Sequence, residues 1–471
     1  MQVRKNQYLE KIKPTAKKLV SLLCERYEYC SLLGTDSEST IYQVSSTGIN
    51  ISQGGPDSIY NKRGFVIRIF DKSGQAEYSF NMLNEELIPD IIKGVDRAVN
   101  AYKGKSCGIP SDEPLQIDKS TEYKIDPKEL GEEKIIGKLT ELREYAIGRN
   151  EKIIDCNCRF KYRKYANIFI SRNRDLTQNI MWADAVTSVI VKDGENIQQS
   201  YKGYSVLGGA EVLDQLEQGM DIAIDTALEL LGSEPIIPGE YDCICEPEVT
   251  GMIVHEAFGH GVEMDMFAKD RALAKQYIGK QVASPLVTMH DSACAVQQTA
   301  TYFFDDEGEE AHDTLVIDKG ILKGGFCDAN SALKLNFRPT GNGRRESYER
   351  KAYTRMTNTY FLGGNDTVED MIASIKYGFL LSTPSSGMED PKNWGIQMMV
   401  GMAKEIKDGK LTGKIFAPIV LTGYVPDLLK SITMMSKTPI LCGTGMCGKG
   451  YKEWVTVSDG GPYIKAKISL G

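Results

Sequence analysis

The chain has 471 residues, 41% hydrophobic and 25% charged, the make-up of a soluble globular protein with room for two or three domains. A net charge of −8 argues against a surface for nucleic acid or anionic membrane. No run approaches about 18 uninterrupted apolar residues, so no membrane-spanning helix is expected.

The amino terminus, Met1 to Tyr8, leads into a charged helical pattern without the apolar core of a signal peptide. Leu9 to Tyr29 then reads as an amphipathic helix with Leu19, Leu22 and Leu23 on one side. Strand patterns follow at Ile41 to Ile51, Gly64 to Phe70 and Ala76 to Phe80. Asn84 opens a second helix to about Tyr102, and the polar stretch Lys103 to Lys119 reads as a loop. A helix over Glu129 to Ile147 precedes strands at Tyr165 to Ser171 and Ala185 to Val191, and a further helix ends near Leu231. Pro235 to Gly239 marks a boundary, dividing residues 1–235 from residues 236–471. The second part is rich in glycine turns, with strands at Thr314 to Ile317, Leu411 to Val420 and Tyr463 to Ile468 and a helix at Val368 to Tyr377. The expected class is α+β: an N-terminal domain of strands and amphipathic helices, then a glycine-rich sheet domain carrying an irregular helix. The eleven cysteines are odd in number and thinly spread, which predicts reduced thiols in a cytoplasm and no disulfide framework. Cys156-Asn157-Cys158 and Cys243-Ile244-Cys245 have strand spacing and read as buried structural thiols.

Only four histidines occur, and two of them stand in His255-Glu256-Ala257-Phe258-Gly259-His260. Two imidazoles flanking an acid supply neutral nitrogen ligands for a catalytic metal and a carboxylate to carry a proton. The spacing is unusual, because residues five apart on an ideal helix point roughly 140° away from each other. Either a π-type distortion brings the rings together, with Gly259 as its natural place, or the pair is no site.

Other candidates compete for a third ligand. His290 and His312 each stand alone, and Glu263 and Asp265 could orient the imidazoles or form a solvated acidic turn. Asp305-Asp306-Glu307-Gly308-Glu309-Glu310 lacks the alternation of an EF-hand and reads better as a solvated turn than as a cation cage. Arg344 and Arg345, in a glycine-rich turn, suit either a carboxylate ligand or the nearby acidic run. The segment Gly443-Thr444-Gly445-Met446-Cys447-Gly448-Lys449-Gly450 approximates a phosphate-binding loop, but Gly450 replaces the required hydroxyl and only 21 residues follow. Read differently, it holds Cys447 in a tight turn able to approach a metal.

These residues resemble the TldD/PmbA metallopeptidase family, in its active, TldD-type form. The signature is His255 to Asp265, joined by Asp305 to Gly308, Pro339 to Tyr348 and Arg355 to Tyr360. The resemblance is strong from about Pro235 onward and diffuse before it. It implies a zinc ion held by His255, His260 and Cys447, with Glu256 as catalytic base. It also implies a dimer, with itself or with a related subunit, enclosing a chamber in which small or unfolded peptides are cleaved, leader removal being one such duty. Tyr451-Lys452-Glu453-Trp454 departs from the small-residue run expected after the cysteine turn, which puts neighbouring substrate contacts in question. A different class of function, a silent peptide-binding partner or scaffold, stands as the alternative, and metal content together with Cys447→Ser separates the two.

Overall fold

Alternating apolar residues along two long strands build the first half around a single sheet. The computed structural model describes residues 1–53, 62–72, 74–102, 108–450 and 452–471. Strands run in the order Gly74–Phe80, Arg63–Asp71, Tyr29–Ser45, Ile153–Ile170, Arg174–Asp193 and Leu115–Ser120. Gly48–Ser52 pairs with Tyr29–Ser45, and Asn196–Val206 pairs with Arg174–Asp193. All these neighbours are antiparallel except Leu115–Ser120, which runs parallel to Arg174–Asp193.

Successive strand residues face opposite sides, so Ile153–Ile170 sorts its side chains by parity. Phe160 packs with Leu139, Leu216 and Ile224 of the helices Glu132–Arg149, Val212–Gln218 and Met220–Leu230. Ile168, on the same face, packs with Leu19, Leu23, Ile91 and Val95 of the helices Gln7–Cys24 and Ile88–Ala101. Phe169 points the other way, into a cluster with Leu33, Leu176 and Phe304, where the sheet meets the second half.

Several expected elements differ in extent. The strands read at Tyr165 to Ser171 and Ala185 to Val191 are segments of 18- and 20-residue strands. Their polar residues hid the full length, because they make hydrogen bonds and ion pairs across the sheet: Arg159 and Lys161 both reach Asp184. Strand Asn196–Val206 has the weak alternation of a half-exposed edge and escaped the reading. The stretch read as a loop carries strand Leu115–Ser120; its residues 103–107 lie outside the described part. The helix ending near Leu231 is broken at Gly219 into two.

In the second half, Tyr377–Asp390, Gly239–Cys245, Ile464–Leu470, Ile419–Tyr424 and Gly395–Lys407 pair in that order, and the last pairs back with the first. Five strands therefore close into a barrel around Phe379, Leu381, Met398, Leu421 and Ile468. A second sheet carries Asp313–Asp318, Met289–Ser292, Asn358–Phe361, Ser458–Gly461 and Ile440–Cys442, side by side in that order. Between barrel and sheet runs one irregular helical rod, residues 247–262, which carries the histidine pair.

Candidate metal centre

The rod begins as an α-helix, Pro247–Met252, loosens to a π-helical turn over Ile253–Gly259 and tightens to a 3₁₀ turn over His260–Val262. The His260 N–H donates to the His255 carbonyl, five residues back, so the histidine spacing equals one π-turn. The two rings meet edge to face with centroids 5.1 Å apart. Gly259 keeps ordinary helical angles, φ −58° and ψ −50°; what it supplies is room, since a Cβ there would lie 2.3 Å from Sδ of the buried Met356.

The third group arrives from far along the chain. Cys447 sits in a hairpin of Met446–Lys449 with Lys452–Thr456, and its Sγ is 3.4 Å from His260 Nε2. One ligand atom each from His255, His260 and Cys447 lie within 4.8 Å of one another. Two imidazole nitrogens and a thiol, held together in a buried position, form a donor set that fits zinc. Glu256 completes the group from the side, its carboxylate 3.9 Å from His260 Nε2. It lies against Gly387, where a Cβ would come within 2.6 Å of Glu256 Cγ.

Electrostatics favour the ligating form of the thiol. Burial opposes its ionisation, but His260, His255 and then Arg355 outweigh burial and hold Cys447 well below the usual thiol range. Glu256 is pushed up by burial, against the pull of His255 and His260. Asp459, nearby in strand Ser458–Gly461, is pushed by burial to about 6.

Glu263 and Asp265 are buried, not parts of a solvated turn. Glu263 Oε2 lies 3.3 Å from His260 Nδ1, leaving Nε2 turned toward Cys447. Lys449 Nζ bridges Glu263 Oε2 at 3.0 Å and Asp265 Oδ1 at 2.7 Å, and donates to the Thr354 carbonyl at 3.1 Å. Arg355 donates to the Cys447 carbonyl at 2.9 Å while its Nε lies 3.4 Å from Glu263 Oε1. Arg355 and Lys449 thus tie the cysteine hairpin to the histidine rod. Neither was singled out for this role from sequence: Lys449 read as part of an imperfect phosphate loop, and Arg355 as one residue of a recognisable block. With its ammonium committed to two carboxylates, and its segment a hairpin with no helix after it, Gly443 to Lys449 forms no phosphate cradle.

The remaining candidates serve elsewhere. His290 pairs with Asp313 at 2.9 Å, and His312 lies near Glu309. Asp305 and Glu307 of the acidic run are buried and Asp306 and Glu309 partly so, correcting the expectation of a solvated turn, while Glu310 at its end is exposed. Asp305 accepts from the backbone of Glu307, Glu309 and Gly343, and Asp306 from Tyr165 and Arg345 N–H. The Arg345 guanidinium grips not that run but Glu77 of the first half, at 2.7 and 2.9 Å. Cys156 and Cys158 lie in the core beside Thr187, and Cys243 and Cys245 in the barrel wall, all away from the site.

A barrel-and-sheet half bearing a buried N,N,S ligand group with an acid beside it describes a metallopeptidase-type domain. Residues 238–469 match the PmbA/TldA metallopeptidase C-terminal domain, so the second half of the chain is a domain of that family. A metalloprotease of Methanocaldococcus jannaschii is 27% identical over 94% of this chain and 98% of its own. A TldD homologue of Buchnera aphidicola is 32% identical over 60% of this chain and 61% of its own. The zinc metalloprotease TldD homologue of Saccharolobus solfataricus is 32% identical over 51% and 53% respectively. The crystal structure of TldE from Thermococcus kodakarensis shares the fold, with a TM-score of 0.76 at 16% identity over 97% of this chain and all of that one. Among the described residues no helix is long and apolar enough to cross a membrane.

Proposed function

We propose that this chain is a zinc-dependent metallopeptidase of the TldD type, hydrolysing small or unfolded peptides. The observation that carries the reading is the convergence of His255, His260 and Cys447 within 4.8 Å, with Glu256 at the edge of the group. A relative whose name includes zinc supports the choice of metal.

His255 Nε2 or Nδ1, His260 Nε2 and Cys447 Sγ would hold the ion, which when bound polarises a carbonyl and lowers the pKa of water. Glu256 accepts the proton of the attacking water and passes it to the departing amine. Burial raises its proton affinity, which suits a group that must both take and return a proton near neutrality. Glu263, held by Lys449 and Arg355, fixes the His260 ring with Nε2 facing inward.

In this reading the enzyme works in the cytoplasm as a dimer, with itself or with a related subunit, and encloses the site in a chamber that admits unfolded chains. Leader removal and peptide degradation are both within its reach. Metal analysis of the purified protein, with mass spectrometry of an incubated peptide pool, tests the proposal. One zinc per chain and new peptide termini are expected; a metal-replete protein that leaves every peptide intact would defeat it.

A further inference from the structure

A cleft of about 730 Å³ opens in front of His255 and Glu256, and each half of the chain supplies a wall. Strand Asn196–Val206 of the first half contributes Gln198, Gln199, Tyr201 and Gly203. This strand is fastened to the loop that leads into Cys447. Tyr201 Oη bonds Thr444 Oγ1 at 2.9 Å, and the Gly443 N–H donates to Ser205 Oγ at 2.7 Å. The contact between the halves therefore sets the width of the cleft beside the metal ligands.

The lining is mainly apolar: Leu230, Met252, Pro384, Pro418, Met446 and Val457. Apart from His255, its ionisable charges are all acidic, namely Glu248, Glu256 and Asp459, with no lysine or arginine among the lining residues. Glu248 is already paired with Lys202, at the rim. Asp459 has no cation within ion-pair distance among the described residues, and it faces the fields of His255, Glu256 and Glu248.

Resting on the peptidase reading, we propose that this cleft is a specificity subsite for an apolar side chain flanking the scissile bond, and that Asp459 turns away acidic side chains. An apolar group entering it gains by leaving water. A carboxylate entering it would lose hydration and meet the like charge of Asp459, with no lysine or arginine among the lining residues to pair with it.

The test uses the zinc-loaded full chain carrying Glu256→Gln, so that binding is read without turnover. Pentapeptides Ala-Ala-X-Ala-Ala, with X as Leu, Gln or Glu, compete against a fluorescent peptide in an anisotropy assay at pH 7.5. Leu is expected to bind about tenfold or more tightly than Gln, and Glu to bind several-fold more weakly than Gln. Adding Asp459→Asn should bring Glu and Gln within about twofold while leaving the Leu advantage. Raising salt on protein that retains Asp459 should narrow the same gap, a readout independent of that variant's folding. Leu binding no better than Gln, or a Glu–Gln gap indifferent to both Asp459→Asn and salt, overturns the subsite. Wild-type hydrolysis of the same peptides judges the peptidase reading separately: peptides bound with this preference but never cut sink that reading alone, and peptides cut without preference sink the subsite alone.

Discussion

Cys447 lies 187 residues beyond His260, and its Sγ comes to 3.4 Å from that histidine's Nε2. No hydrogen bond of a buried thiol would by itself draw two imidazoles into the same small volume. Cys447→Ser should therefore reduce zinc affinity more than about 100-fold, beyond the usual loss from outer-shell changes. Cobalt substitution gives a direct view: the unmodified protein should show thiolate-to-cobalt absorption in the near ultraviolet, and the variant should not. An unchanged spectrum would remove Cys447 from the ligand set.

Glu256→Gln keeps size and hydrogen-bonding capacity but cannot shuttle a proton. Zinc content should stay near that of the unmodified chain while peptide hydrolysis falls by about 10²–10⁴. Turnover within a few-fold of normal in the zinc-replete variant would assign the proton transfer to another group.

Lys449 is the cation between two buried carboxylates, Glu263 and Asp265. Lys449→Met leaves Glu263 with Arg355, and Asp265 with the more exposed Lys269, as the remaining counter-charges, and should destabilise the chain by up to about 3–5 kcal/mol. Because Glu263 would also lose its hold on the His260 ring, metal affinity should drop about 10–100-fold. A purely structural lysine would lower the melting temperature in apo and zinc-loaded protein equally; the expected result is a larger loss in the zinc-loaded form.

Glu77 links acid stability to the contact between the halves. Burial alone would raise its pKa, but Arg345, by charge and by two hydrogen bonds, and then Arg68 outweigh burial and hold it at about 2. A carboxyl depressed from 4.5 when folded stabilises fully above pH 4.5 and loses that contribution as pH falls toward 2. The depression corresponds to roughly 3 kcal/mol. Asp305 is pushed up by burial and works in the opposite sense, so the comparison should be made between the natural chain and Glu77→Gln. Urea titrations should show a stability gap at pH 6 that shrinks on moving to pH 3. A gap constant over that range would separate Glu77 from the acid response.

Much of the secondary structure could be read locally, because periodicity is a local property. Helix Gln7–Cys24 shows its buried Leu19 and Leu23 in sequence, and Asn6 caps it by accepting from Leu9 N–H at 3.0 Å. The long strands were read short because their arginines and lysines look solvated in sequence, and folding alone brings up their partners, Asp184 for Arg159 and Asp126 for Lys164. Part of the acidic run misled because its partners too come from elsewhere in the fold. Asp305 reads as exposed in sequence, yet it is satisfied by backbone N–H groups, including that of Gly343, 38 residues away.

The sequence by itself offered two scarce histidines five apart with an acid between them, and several candidates for a third ligand, of which only the family resemblance singled out the cysteine in its glycine turn. Tertiary structure decided whether those atoms would meet. The π-turn, with Met356 packed against its Gly259, brings both rings together, and Lys449 and Arg355 anchor a distant hairpin against it. Side-chain chemistry is written residue by residue, whereas convergence depends on packing and charge pairing between segments nearly two hundred residues apart, which no local pattern encodes.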